Sequence, residues 1–104
     1  MNPNLRDMAI QKAEQSSGKF KVSAIGLDKN GNVVARAFNR ARFSRYGGGV
    51  HAEIMALRKG GNRIVTMIIC RVGKGGDILP IDPCESCKKV LDKKGIKIMT
   101  VKEI

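Results

Sequence analysis

His51-Ala52-Glu53 stands upstream of Pro83-Cys84-Glu85-Ser86-Cys87, and the two segments together supply one imidazole, two thiolates and a carboxylate. That is the donor set of a hydrolytic zinc site. With His51, Cys84 and Cys87 as ligands, a tetrahedral zinc keeps its fourth position for water, whereas a structural zinc is normally closed by a fourth protein side chain. Zinc lowers the pKa of its water toward about 7, so hydroxide becomes available at neutral pH. Glu53, two residues past His51, is placed to take that proton and pass it on, which is general acid–base work by one carboxylate. A peptidase needs the same water but a clearer oxyanion binder and usually a different ligand spacing.

The plainer readings of the same residues are weaker in combination than singly. A lone histidine at a helix start is more often a satisfied surface or core residue than a ligand. A thioredoxin-like redox pair accounts for Cys84-x-x-Cys87 but leaves His51 and Glu53 unexplained. Three cysteines are an odd number for a disulfide framework. Cys70 lies in an apolar run, where burial as a small hydrophobe is its expected role, although it is the one further thiol that could close a structural zinc. Glu85 and Ser86 read as polar filling between ligands.

The elements that must position these groups follow from periodicity. Leu5, Met8, Ala9 and Ala13 recur at helical spacing up to Ser16-Ser17-Gly18, predicting a first helix. Lys19 to Leu27 and Asn32 to Phe38 read as strands joined through Asp28-Lys29-Asn30-Gly31, with Asn30-Gly31 expected to form a tight primed turn at positive φ. Asn39 to Gly49 reads as a loop, His51 to Lys59 as a helix stopped by Gly60-Gly61, and Ile64 to Cys70 as a central strand. Arg71 to Asp82 reads as a connection, and its Gly73-Lys74-Gly75-Gly76 lacks the spacing of a phosphate-binding P-loop. Asp82-Pro83 opens a last helix that Gly95 caps, and Ile96 to Val101 is the final strand.

Helix, hairpin, helix, strand, helix, strand is an α/β order. It predicts one domain over residues 1–104, with a mixed sheet containing a parallel pair and helices covering its faces in three layers. Both metal half-motifs then fall at helix N-termini against one sheet. Cys84 and Cys87, three apart in a first turn, share a face, and the helix dipole favours their thiolates. Met99, Val101 and Ile104 at the last edge are expected to cover it or pair with a second subunit, so a homo-oligomer is expected.

Twenty Lys and Arg against 9 acidic residues give a formal charge of +11 over 104 residues. Such a field attracts polyanions. Arg36, Arg40, Arg42 and Arg45 are interleaved with Phe38, Phe43 and Tyr46 ahead of Gly47-Gly48-Gly49. Arg42, Phe43 and Tyr46 are therefore candidate substrate contacts, the arginine for phosphate and the rings for stacking on a base, against the alternative of a solvated face packed by its own rings. No signal-peptide core or long apolar segment is present, so a cytoplasmic protein without membrane contact is expected.

His-x-Glu with Pro-Cys-x-x-Cys is the pattern of the zinc nucleobase deaminases, and the chain resembles the cytidine and deoxycytidylate deaminase superfamily from its first strand to Val101. His51 to Gly61, with Asn39-Arg40 upstream, is locally similar to the bacterial tRNA adenosine deaminases. Arg71-Val72 and the Pro80 to Cys87 region look closer to free cytidine deaminases. The resemblance implies a three-layer α/β sandwich of about four strands, with zinc on His51, Cys84 and Cys87 and Glu53 as proton shuttle. It implies that Asn39 hydrogen-bonds the nucleoside, and that Ala52 helps form the base pocket with a backbone contact to the ring edge.

The leading expectation is hydrolytic deamination of a cytosine base, with single-stranded nucleic acid favoured over a free nucleoside or nucleotide by charge. Adenine deamination on nucleic acid is a further enzymatic option. A zinc-stabilised nucleic-acid-binding module without turnover is the rival from another class, and Glu53 separates it, because a binding module is indifferent to a glutamine there.

Overall fold

In the computed structural model the described residues are 5–15, 21–41, 49–50, 52–73, 75–79, 81 and 85–101. Their elements in chain order are α1 (Leu5–Glu14), β1 (Lys21–Leu27), β2 (Val33–Phe38), β3 (Arg40–Ala41), β4 (Gly49–Val50), α2 (Ala52–Gly60), β5 (Thr66–Val72), β6 (Ile78–Leu79), α3 (Glu85–Lys93) and β7 (Lys97–Thr100), with a 3-10 turn at Gly61–Arg63 after α2. The expected order is reproduced, with three short strands added.

Alternation along the strands divides the apolar side chains between two faces. β5 is central: it runs antiparallel to β1 over its full length, parallel to β7 from Thr66 to Ile69, and antiparallel to β6 at Arg71 and Val72. With β2 antiparallel to β1, these make a five-stranded mixed sheet. Ile68, Cys70 and Val72 of β5 join Ile25 and Leu27 of β1 on one face, where Leu5, Ala9 and Ala13 of α1 cover them at helical spacing. Met67 and Ile69 face the other way, with Ala24, Ala35 and Ala37, toward Ala52 and Ala56 of α2 and Leu91 of α3. The sheet is thus sandwiched between α1 and the pair α2 and α3.

Three expectations are corrected. The β1–β2 connection is not a two-residue primed turn, since no described residue other than glycine has positive φ and only Gly31, at +80°, takes that role there. Asp28 organises a longer turn instead: its Oδ1 accepts the N–H groups of Asn30 and Asn32, each at 2.9 Å, and its own N–H donates to Asn32 O at 2.9 Å. This is the three-residue hairpin loop that places glycine in its left-handed position. Arg71 to Asp82 is not all connection, because β5 continues through Val72 and turns back into β6, with Gly73 N–H donating to Asp77 O at 2.8 Å. The Asn39 to Gly49 loop has its two ends paired, Arg40 opposite Val50 and Ala41 opposite Gly49. At the last edge Val101 is buried in the α1-side core and Met99 packs against it, so both help cover that face, while Ile104 lies outside the described residues.

α3 ends as its sequence predicts. Gly95 has φ +71°, Ile96 N–H donates to Leu91 O at 3.0 Å and Gly95 N–H to Asp92 O at 3.0 Å, while Ile96 and Leu91 share the core on that face. This double hydrogen bond with its apolar contact fixes where the chain leaves α3 to become β7. Among the described residues no helix is long and apolar enough to cross a membrane.

Candidate active site

α2 meets the sheet through small residues along its length. Ala52, Ala56 and Gly60, four apart, are all buried and lie against β1 and β2 through Ala24, Ala35 and Ala37. That seam carries Glu53 inward with it. Glu53 is 3 % exposed and, among the described residues, is the one charged side chain that is buried. A carboxylate removed from water demands compensation by positive charge or by hydrogen bonds. Its place in the first turn of α2 supplies part of this from the helix dipole.

Cys87 reaches the same layer from α3. It is 3 % exposed and sits one turn before the fully buried Leu91, which places both on the inner side of that helix. A buried thiol and a buried carboxylate near the starts of two helices on one face of the sheet form surroundings that a zinc ion fits, since a cation answers the charge of both. Of the residues expected to hold it, Cys87 alone has a described position. His51 and Cys84 lie outside the described residues, as do Arg42, Phe43 and Tyr46.

Cys70 is excluded from this layer. Its side chain belongs to the α1-side core, across the sheet from α2 and α3. Burial pushes its thiol up to about 11, as expected for an inert apolar position. It cannot close a zinc held by Cys87 as a fourth ligand.

Asn39 has a structural task that the sequence did not disclose. Its backbone N–H donates to Val22 O at 3.0 Å, and its side-chain Oδ1 accepts Val22 N–H at 2.9 Å, so it clamps the start of β1 from both sides. The next residue begins β3, whose pairing with β4 brings the stem of the basic loop to Val50, immediately before His51. The β3–β4 pairing therefore holds Ala41 and Gly49 together, with two residues between Gly49 and the start of α2.

A sequence profile of the cytidine and deoxycytidylate deaminase zinc-binding region matches residues 3–103. The chain belongs to that family. It is a zinc-dependent hydrolase with deamination activity of the general cytidine or deoxycytidylate type. Solved structures agree: cytidine deaminase from Mycobacterium tuberculosis is 27% identical, with 92% of this chain and 80% of that chain covered at a TM-score of 0.67. Cytidine deaminase from Mycobacterium leprae is 25% identical, with 95% and 87% covered at 0.69. The dCMP deaminase of cyanophage S-TIM5, 22% identical with 96% and 84% covered at 0.59, shares the fold. No individually curated protein matches the chain.

Proposed function

We propose that this deaminase acts on a cytosine base, replacing the exocyclic amine with a carbonyl oxygen and releasing ammonia. The observation that carries the proposal is the burial of Glu53, two residues after the expected ligand His51 in sequence, in the layer that also holds Cys87. The two mycobacterial relatives at 25% and 27% identity are cytidine deaminases, which favours cytosine over adenine.

His51, Cys84 and Cys87 would hold zinc. When bound, zinc supplies the Lewis acidity that makes water nucleophilic near neutral pH. Glu53 accepts a proton as the water's oxygen bonds to the amine-bearing carbon, and gives that proton to the adjacent ring nitrogen. It then carries the second proton of that oxygen to the amine as the carbon–nitrogen bond breaks, so that ammonia leaves and a carbonyl remains. Burial keeps competing solvent from the carboxylate while it shuttles. Ala52 helps form the base pocket at the foot of α2, and Asn39, fixed through Val22, hydrogen-bonds the nucleoside. Arg42, Phe43 and Tyr46, on the loop closed by β3 and β4, meet phosphate and base. The five-stranded sheet carries a core on each face, which supports a single domain over the chain.

The test is ammonia release by zinc-loaded protein from cytidine, deoxycytidine, their monophosphates, cytosine-containing oligonucleotides and the adenosine equivalents. Release from cytosine substrates is expected. Release confined to adenine substrates would overturn the choice of base, and no release from any substrate by folded, zinc-loaded protein would overturn the proposed reaction.

A further inference from the structure

The two helical layers carry very different surfaces. On α1, Arg6 and Lys12 are balanced by Asp7 and Glu14. Across the sheet, the end of α2 and the turn after it expose Arg58, Lys59 and Arg63, and α3 with its terminal turn exposes Lys88, Lys89, Lys93 and Lys94. Among the residues of α2 and α3 whose exposure is described, Asp92 is the one surface acid, while Asp28 of the β1–β2 turn lies close enough to Arg63 to feel its charge and Lys59 Nζ donates to Arg36 O at 2.9 Å. The +11 charge of the chain is therefore concentrated in part on the layer that buries Glu53 and Cys87.

Helix electrostatics explain only some of these lysines. Lys93 and Lys94 suit the negative end of α3, but Lys88 lies midway along it, beyond the reach of the terminal dipole. Cys87 and Leu91 occupy the inner side of the helix, and Lys89 and Lys93 follow the opposite side at the same spacing. From Lys88 to Lys94 the rise is about 9 Å at 1.5 Å per residue, more than one phosphate group spans. A mononucleotide cannot engage that length, whereas successive phosphates of a strand can.

We propose that the outer side of α3, continued by the exposed end of α2, is a track for the phosphate backbone of a single-stranded polynucleotide. The strand runs over the lysines while one base enters beside Glu53, a placement that rests on the proposed deamination. An anionic membrane fits less well: Val90 is the exposed large apolar side chain of α3 among the described residues, and a single valine gives little apolar surface to insert.

The experiment measures anisotropy of a labelled oligodeoxycytidylate against salt, with every variant carried on a Glu53→Gln background so that binding is read without turnover. Lys93→Gln with Lys94→Gln should weaken binding and make the log–log salt slope shallower by about 1.4, at about 0.7 per single-strand phosphate contact. Lys88→Gln alone should change it by about 0.7. Arg6→Gln with Lys12→Gln removes the same charge from the other layer and should leave the slope unchanged, and thermal melting verifies that each variant folds. Equal slope changes for the two pairs, or none for the lysine pair, would overturn the track. So would loss of binding to phosphatidylserine vesicles while oligonucleotide binding is unaltered. A lysine-specific slope change without ammonia release from any base by the Glu53 protein removes the deamination reading but keeps the track; turnover without a slope change does the reverse.

Discussion

The two faces of the sheet bury polar groups in opposite ways. Among the described residues the buried polar side chains are Ser23 and Glu53. Ser23, on the α1 side of β1, donates its hydroxyl to Ala9 O at 2.6 Å, so the helix that covers it also satisfies it. Glu53, on the α2 side, is a carboxylate carried by the same helix that packs Ala52 and Ala56 into the other core. A neutral hydroxyl needs one acceptor, which any helix backbone can supply; a buried carboxylate needs charge compensation. The α1 face is thus closed by its own packing, and the α2–α3 face is arranged around a group whose burial makes sense with a cation and a proton to move.

The two buried thiols break that comparison most sharply. Cys87→Ala should reduce zinc affinity by more than about 100-fold, beyond what losing an outer-shell partner typically does, and abolish turnover. Cys70→Ala should leave the zinc content of the purified protein unchanged, as atomic emission would record. Loss of zinc from the Cys70 variant would mean that the two faces are not chemically separate. The paired leucines come next. Leu91→Ala and Leu5→Ala should each destabilise the fold by about 2–5 kcal/mol in denaturant melts, but Leu91→Ala alone should also weaken zinc binding, because Leu91 lies one turn from Cys87.

The smallest effect is a pH dependence confined to the α1 face. Burial raises Cys70 from its ordinary 9.0 to about 11. The unfolded chain therefore releases this proton first, and the folded state loses stability as pH rises from about 9 toward 11. Cys70→Ala should flatten stability against pH in that window. A decline of the same size in both proteins would assign it to other groups.

Legibility followed locality. α1 was readable because Leu5, Ala9 and Ala13 repeat at helical spacing, and the end of α3 because Gly95 with Ile96 encodes a local cap. The central strand was readable from an unbroken apolar run, although its frame lies two residues later, at Thr66–Val72, because Ile64 packs beneath α2 as a loop residue. Asn30-Gly31 marked the right turn but not its form, since the side chain of Asp28 decided the geometry. The short strands β3, β4 and β6 were not readable: two residues carry no period, and each forms because a longer element brings its partner alongside. The metal motifs were legible as donor chemistry. The exclusion of Cys70 and the clamp of Asn39 on Val22 were not, because both depend on which strand lies next to which and on which face a residue points.

The most direct test of the division between a sealed face and a reactive one is Glu53→Gln in zinc-loaded protein, measured for zinc content and ammonia release from cytidine together. A buried general acid–base should retain zinc and fold while losing on the order of 10²–10⁴ in turnover. Turnover equal to that of the Glu53 protein, at equal zinc content, would contradict the role of the carboxylate on which the chemistry of this face rests.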